Sequence, residues 1–320
     1  MVHLLLLLGA AGAIYLSCEL FVNAVEHLGR IWKLGTLAVG TVLAAVGTAL
    51  PESVVTGIAV TVGHEKDVGV GAALGGPLAL ATVGYGVVGL ALLARRRPLP
   101  TIDTRRLGRD QAAFLAIFAL KVGLGLVAFA WKPWLGLLFF VGYAAYVVVE
   151  LRAKGDDCDA LEVEPLTLTR TENPALAPVL VQTLGTLAVI WVASQVFVAQ
   201  LAWTGDQLGL APAVVALLLS PVATELPEVM NALIWVRQGK TQLALANISG
   251  SMMVQATVPS GLGILFTDWE LDGPLLMSGL VTAAAMVFLL VVLRSGRLSP
   301  RRLAGAAGFY ALFAVLLPFV

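Results

Sequence analysis

Charge is what this sequence lacks most. Of its 320 residues only 12% are Asp, Glu, Lys or Arg, against about 25% in soluble globular domains. Hydrophobic residues make up 59%, and the mean hydropathy is +0.91. Such a chain cannot cover an ordinary water-soluble domain, and its zero net charge offers no basic field for nucleic acid. Cysteine is nearly absent. Cys18 and Cys158, one in an apolar segment and one in a polar stretch, suggest no disulfide framework and no zinc-binding spacing. The three histidines, His3, His27 and His64, fall near expected helix ends, where surface positions are anticipated. No His-Glu-x-x-His occurs, which argues against an intramembrane metalloprotease, and no His lies at mid-depth to serve a Ser/His pair. No Lys or Arg precedes Arg30, so the run from Leu4 to Leu8 lacks the basic start of a secretory signal and reads as a first transmembrane helix.

What is present is a series of long apolar segments. An apolar helix of about 20 residues spans a bilayer, and ten segments qualify, roughly 3–28, 32–62, 67–93, 111–130, 132–151, 175–203, 210–237, 241–267, 272–293 and 302–320. With ten spans the loops alternate between sides. Seventeen of the 20 basic residues then fall on one side, only Lys66 and Lys132 on the other, and Lys121 inside a helix. Basic loops stay cytoplasmic, so both termini are expected outside the cytoplasm of a multi-pass cell-membrane protein.

Two short stretches repeat. Gly47-Thr48-Ala49-Leu50-Pro51-Glu52 is matched by Ala223-Thr224-Glu225-Leu226-Pro227-Glu228, with Glu228 lying 176 positions after Glu52. The same offset pairs Ser17-Cys18-Glu19-Leu20-Phe21-Val22 with Ala193-Ser194-Gln195-Val196-Phe197-Val198. Two matches at one offset indicate an internal duplication. Five spans per half is an odd number, so the second half enters the membrane from the opposite side. The expected fold is an all-α membrane protein of ten transmembrane helices in two inverted five-helix repeats, residues 1–151 and 175–320. A polar, acidic cytoplasmic linker at 152–174 reads as a solvated hinge. Inverted repeats place a shared site near the bilayer midplane, and intramembrane acids default to function.

The repeated motif has specific chemistry. A proline within a helix removes one N–H and leaves the carbonyl four residues earlier unpartnered, here Gly47 for Pro51 and Ala223 for Pro227. Thr48 and Glu52 share a helix face, as do Thr224 and Glu228. Hydroxyl, carboxylate and freed carbonyl make a hard-oxygen cluster suited to Ca²⁺, Na⁺ or similar cations. Each motif is followed by a small-residue helix, Gly71-Ala72-Ala73-Leu74-Gly75-Gly76-Pro77 and Ala246-Asn247-Ile248-Ser249-Gly250-Ser251-Met252. In the second, Asn247, Ser251 and Gln255 form a polar stripe.

These motifs resemble those of the cation/calcium exchanger superfamily, sodium/calcium exchanger membrane-region type, whose pattern is Gly-Thr-Ser-Leu-Pro-Glu followed by Gly-Asn-x-x-Gly-Ser-Asn. The resemblance covers essentially the whole chain. It implies a secondary active antiporter that exports Ca²⁺ or a similar divalent cation in exchange for Na⁺ or H⁺ by alternating access, with no resident cofactor and no obligate protein partner beyond the lipid bilayer. It assigns Glu52 and Glu228 as central carboxylate ligands and Thr48 and Thr224 as hydroxyl and carbonyl positions. Asn247, Ser251, Gln255 and Glu225 complete the candidate set. The chain also departs from the pattern. Ala72 and Gly76 stand where the family has Asn and Ser, Leu80 stands at a polar position, Gln255 stands where sodium-coupled relatives carry an acid, and Glu225 replaces a Ser. These changes put the usual sodium sites in doubt and leave proton coupling open. Lys121, expected mid-helix, reads either as snorkelling or as a buried counter-ion to Glu19 or Glu225. A cation channel is the competing function, since an acidic ring also selects cations.

Overall fold

The computed structural model describes residues 2–61, 66–96, 102–153, 163–209 and 215–319, without the side chains of residues 51, 52, 55, 59, 66–69, 216 and 217. Their secondary structure is helical, and the β feature among them is an isolated antiparallel bridge, Leu166–Thr171. The helices are α1 (Val2–Ile31), α2 (36–61), α3 (66–94), α4 (Thr104–Leu124), α5 (Lys132–Arg152), α6 (Leu176–Gln207), α7 (215–224 and Leu226–Arg237), α8 (Thr241–Phe266), α9 (Gly273–Arg294) and α10 (Pro300–Phe319). Among the described residues six are long and apolar enough to cross a membrane: α1, α3 from Val70 to Ala94, α5, α6, α9 and α10. The protein is therefore an integral, multi-pass membrane protein.

Local chemistry explains the helix ends. Asp103, Asp272 and Ser299 cap α4, α9 and α10, accepting from the backbone N–H of Arg106 (2.9 Å), Leu275 (2.9 Å) and Arg302 (3.4 Å). Such caps satisfy donors that the first turn leaves open. Gly239 and Gly296, just past α7 and α9, adopt φ of 83° and 64°, a left-handed conformation that glycine takes without steric cost. The fourth apolar segment was expected at 111–130 but runs Thr104–Leu124. Its charged start folds into the helix because Arg106 and Arg109 both pair with the buried Glu150 of α5 (2.9 Å for Arg106).

Helix α8 forms the centre and packs against α2, α3, α4, α5 and α7. Small residues permit this. A Cβ on Gly250 would fall 2.2 Å from the carbonyl oxygen of Thr41, and one on Gly40 would fall 2.7 Å from Ala246, so α2 and α8 meet nearly backbone to backbone. Gly57 also faces Leu262, which makes the two helices run parallel. Helices α3 and α7 form the corresponding pair, with Gly75 against Pro221 and Arg95 donating to the Arg237 carbonyl (3.2 Å).

Outside this group α1 and α6 lie antiparallel. His3 stacks on Trp203 (3.6 Å) and bonds Gln200 (2.8 Å) at one end, and Gln182 donates to the Leu20 carbonyl (2.8 Å) at the other. The described part of the linker, 163–175, is docked rather than loose. Asn23 donates to the carbonyls of Glu164 and Pro165 and accepts from Thr167 and Gln182, while His27 Nε2 lies 3.0 Å from the Glu164 carbonyl. His27 is therefore buried, 1% exposed, and not a surface residue as expected. The acidic stretch 154–162, Cys158 and His64 lie outside the described residues.

Candidate cation-binding site

Helix α7 does not run through its proline as a continuous helix would. It stops at Thr224, turns at Glu225 (φ −83°, ψ 4°) and restarts at Leu226. Pro227 thus sits in a first turn, where its missing N–H leaves no hydrogen bond unmade. The break turns Glu225 inward to 1% exposure, and Glu228, one turn into the restarted helix, is 2% exposed. In α2 the helix continues past Pro51. Before each motif the backbone widens into a π-helical stretch, Val39–Ala44 in α2 and Val215–Leu219 in α7. Such widened turns collect at functional sites.

Glu225 Oε1 accepts a hydrogen bond from Gln255 Nε2 at 2.6 Å, which joins α7 to α8. Gly76 of α3 makes the room. A Cβ there would fall 2.7 Å from Glu225 Oε1 and 2.9 Å from Gln255. The three departures at 76, 225 and 255 are therefore one change: losing a side chain on α3 makes space for a longer one on α7. Asn247 Nδ2 donates to the Glu228 carbonyl at 3.2 Å. Asn247 Oδ1 and the hydroxyl of Ser251, one turn further along α8, are fully buried with no hydrogen-bond partner. Thr48 and Thr224 bond back to their own helices, at the carbonyls of Ala44 (3.2 Å) and Pro221 (3.1 Å).

The structure thus brings together Glu225 with Gln255, and Glu228 with Asn247. Glu52 lies on α2, which touches the second piece of α7, but its carboxylate is outside the described side chains. Among the described residues no three His, Cys, Asp or Glu side chains converge on a metal position. One residue was missed from sequence. Asn231 lies three after Glu228 on the same face of α7, is 0% exposed, and has both amide atoms without a hydrogen-bond partner. Its equivalent in the first half is Val55, so a search for repeated residues passes over it. Unpartnered buried polar atoms cost about 1–3 kcal/mol each, and here they sit on α7 and α8, the helices joined at Glu225 and Glu228. That arrangement can offer oxygens to a desolvated cation.

Two expectations are corrected. Lys121 is in the last turn of α4 rather than mid-helix, and among the described residues it pairs with no carboxylate. Its Nζ donates to the Ala73 carbonyl (2.7 Å) and to Ser260 Oγ (3.1 Å). Glu19 is partnered by Tyr15 (2.5 Å) and Arg237 (3.8 Å). It borders a polar cavity of about 430 Å³, also lined by Asn23, Arg95, Glu164, Arg237 and Gln238.

The family model described as "Sodium/calcium exchanger protein" matches residues 2–152 and 179–319. The chain is 27% identical over 318 residues to inner membrane protein YrbG of Escherichia coli K12, covering 93% of this chain and 89% of that one. It is 26% identical over 310 residues to the provisionally named antiporter CaxA of Alkalimonas amylolytica, covering 94% and 92%. Its fold is similar to a solved structure of the sodium-calcium exchanger NCX_Mj soaked with 2.5 mM Na⁺ and 10 mM Sr²⁺, with a TM-score of 0.78 at 18% identity over 100% of this chain and 99% of that one. A second NCX_Mj structure, soaked with 10 mM Na⁺ and zero Ca²⁺, gives 0.77 at 19% over 99% and 98%.

Proposed function

We propose, from the premise that the chain belongs to the sodium/calcium exchanger family, that this antiporter exchanges Ca²⁺ or a similar divalent cation for H⁺ by alternating access and exports the divalent ion. The chain is a transporter and not an enzyme, and a cation antiporter is the class its family and relatives support. The carrying observation for the finer reading is the α7–α8 seam. There the buried Glu225 and Glu228 stand beside unpartnered oxygens of Asn247 and Ser251. Glu52, Thr48 and Thr224 complete the cation's surroundings in this reading, with Gln255 orienting Glu225.

The same reading takes the ten helices as two inverted five-helix repeats, 1–151 and 175–320, joined by the linker 152–174. Support comes from the 176-residue offset recurring in the geometry. Val39 and Val215 open the two π-helical stretches, and Ile31 and Gln207 end α1 and α6. The antiparallel α1–α6 pair is what inversion requires. Both termini then lie outside the cytoplasm, with the basic loops inside. The surroundings need only lipid and the transported ions.

H⁺ is favoured over Na⁺ because Gly76 and Leu80 bring no oxygen to the site, whereas Glu225 adds a carboxylate. A proton offsets a buried carboxylate's charge without a coordination shell. Everted vesicles loaded with the purified protein test this. Ca²⁺ uptake is expected under an imposed pH gradient and not under a Na⁺ gradient at clamped pH. Equal uptake from Na⁺ alone restores sodium coupling, and uptake with no counter-ion indicates a channel.

A further inference from the structure

Among the described residues Lys121 is the most deeply buried base, 0% exposed, and the exchange chemistry leaves it unexplained. It lies between two helices that each carry a proline inside them. Pro77 within α3 removes the N–H that the Ala73 carbonyl would have accepted, and Pro259 within α8 does the same to the Gln255 carbonyl. In a membrane interior each freed carbonyl needs a substitute donor. Lys121 Nζ donates to the Ala73 carbonyl at 2.7 Å, and Ser260 Oγ donates to the Gln255 carbonyl at 3.0 Å. Because the serine proton is committed to Gln255, Ser260 accepts from Lys121 at 3.1 Å. The Phe118 ring face lies 4.7 Å from the same nitrogen, a position that attracts a cation. The backbone carbonyl and hydroxyl, lying between two proline-containing helices, are the ligand types that hold a hard monovalent ion.

We propose that Lys121 is a tethered monovalent cation: its ammonium fills a cation site built by the Ala73 carbonyl and Ser260 Oγ where Pro77 and Pro259 leave α3 and α8 each one backbone hydrogen bond short. It acts as a positioning residue. Through Ser260 it fixes the carbonyl of Gln255, whose side chain holds Glu225 at 2.6 Å, so one ammonium braces α3 and α8 at the depth of the acids. This inference extends the exchange reading and does not depend on the cargo, because it is tested by monovalent-ion binding and not by transport.

The test compares Lys121→Ala with Lys121→Met in the purified full-length protein, by thermal unfolding in detergent with chloride salts of Na⁺, K⁺, methylammonium or choline. The alanine leaves the site vacant, whereas the methionine fills it without charge. Na⁺, K⁺ or methylammonium should raise the melting temperature of Lys121→Ala by roughly 3 °C over choline, the shift for a site filled at about tenfold its Kd. Wild type and Lys121→Met should show no such rise. Folded Lys121→Ala obtained only in one of the small-cation salts counts as the same result. The proposal is overturned if Lys121→Ala responds to the four salts as wild type does. It is also overturned if Lys121→Met matches wild-type stability while Lys121→Ala folds in none of them, since filled volume then suffices.

Discussion

The closest test of the site is a single methyl group at residue 76. A Cβ built on Gly76 lies 2.7 Å from Glu225 Oε1 and 2.9 Å from Gln255 Cδ and Nε2, closer than real contacts come. Both neighbours are the ends of flexible side chains, so they move and the backbone does not. The loss is the 2.6 Å hydrogen bond between them. A buried bond to a charged acceptor contributes about 1.5–3 kcal/mol. Gly76→Ala should therefore cost about 2 kcal/mol, which is about 4 °C in melting temperature. Exchange should fall about thirtyfold if the Glu225–Gln255 pair is needed in the transporting state. Gly76→Ser should behave alike when made alone. Combined with Glu225→Ser, which restores the residue types of the family motif, it should cost less than either single change predicts, because the shorter side chain vacates the space. Thermal unfolding in detergent and Ca²⁺ uptake in vesicles give the two readouts. A Gly76→Ala protein with wild-type stability and uptake refutes the reasoning. So does a double-mutant cycle that is additive within about 0.5 kcal/mol, the margin for independent sites.

The all-helical membrane fold was legible because it rests on a signal that survives in one dimension, the length of the apolar segments. The Thr-x-Leu-Pro-Glu repeat and the one-sided distribution of Arg and Lys carry the proposed inverted-repeat reading in the same way. The repeat singled out Glu228, the polar stripe of the following helix Asn247, Ser251 and Gln255, and departure from the family pattern Glu225; all five are buried. What stayed hidden was what breaks the symmetry or depends on distant partners. Asn231 has no repeated counterpart. Gly76 reads as a lost ligand until Glu225 and Gln255, 149 and 179 positions later, are seen to occupy its space. The end of α4 was misplaced because Arg106 and Arg109 look like loop charges, and Glu150, 0% exposed on another helix, makes them part of the interior. Lys121 then moved from mid-helix to a last turn, and its partners became a carbonyl and a hydroxyl. Hydropathy has no term for a charge satisfied by a carbonyl that a proline leaves free.

Glu52→Gln and Glu228→Gln should each abolish Ca²⁺ exchange while the protein still elutes as a folded species, since charge is lost with little change in volume; wild-type uptake in either removes that residue from the mechanism. Glu225→Ser should weaken the dependence of exchange on pH, measured as uptake across a pH series at fixed Na⁺; an unchanged profile shows that Glu225 carries no coupling proton. Asn231→Leu separates structural from ligand roles. Both amide atoms of Asn231 are buried without a partner, so removing them should raise the melting temperature in chelator, by about 2 °C for a gain of about 1 kcal/mol. If the amide oxygen also serves the cation, half-saturating Ca²⁺ should rise about tenfold, the equivalent of one neutral ligand at about 1.4 kcal/mol. A variant that is less stable in chelator, with unchanged half-saturation, would mean that the amide is satisfied within the protein and takes no part in binding.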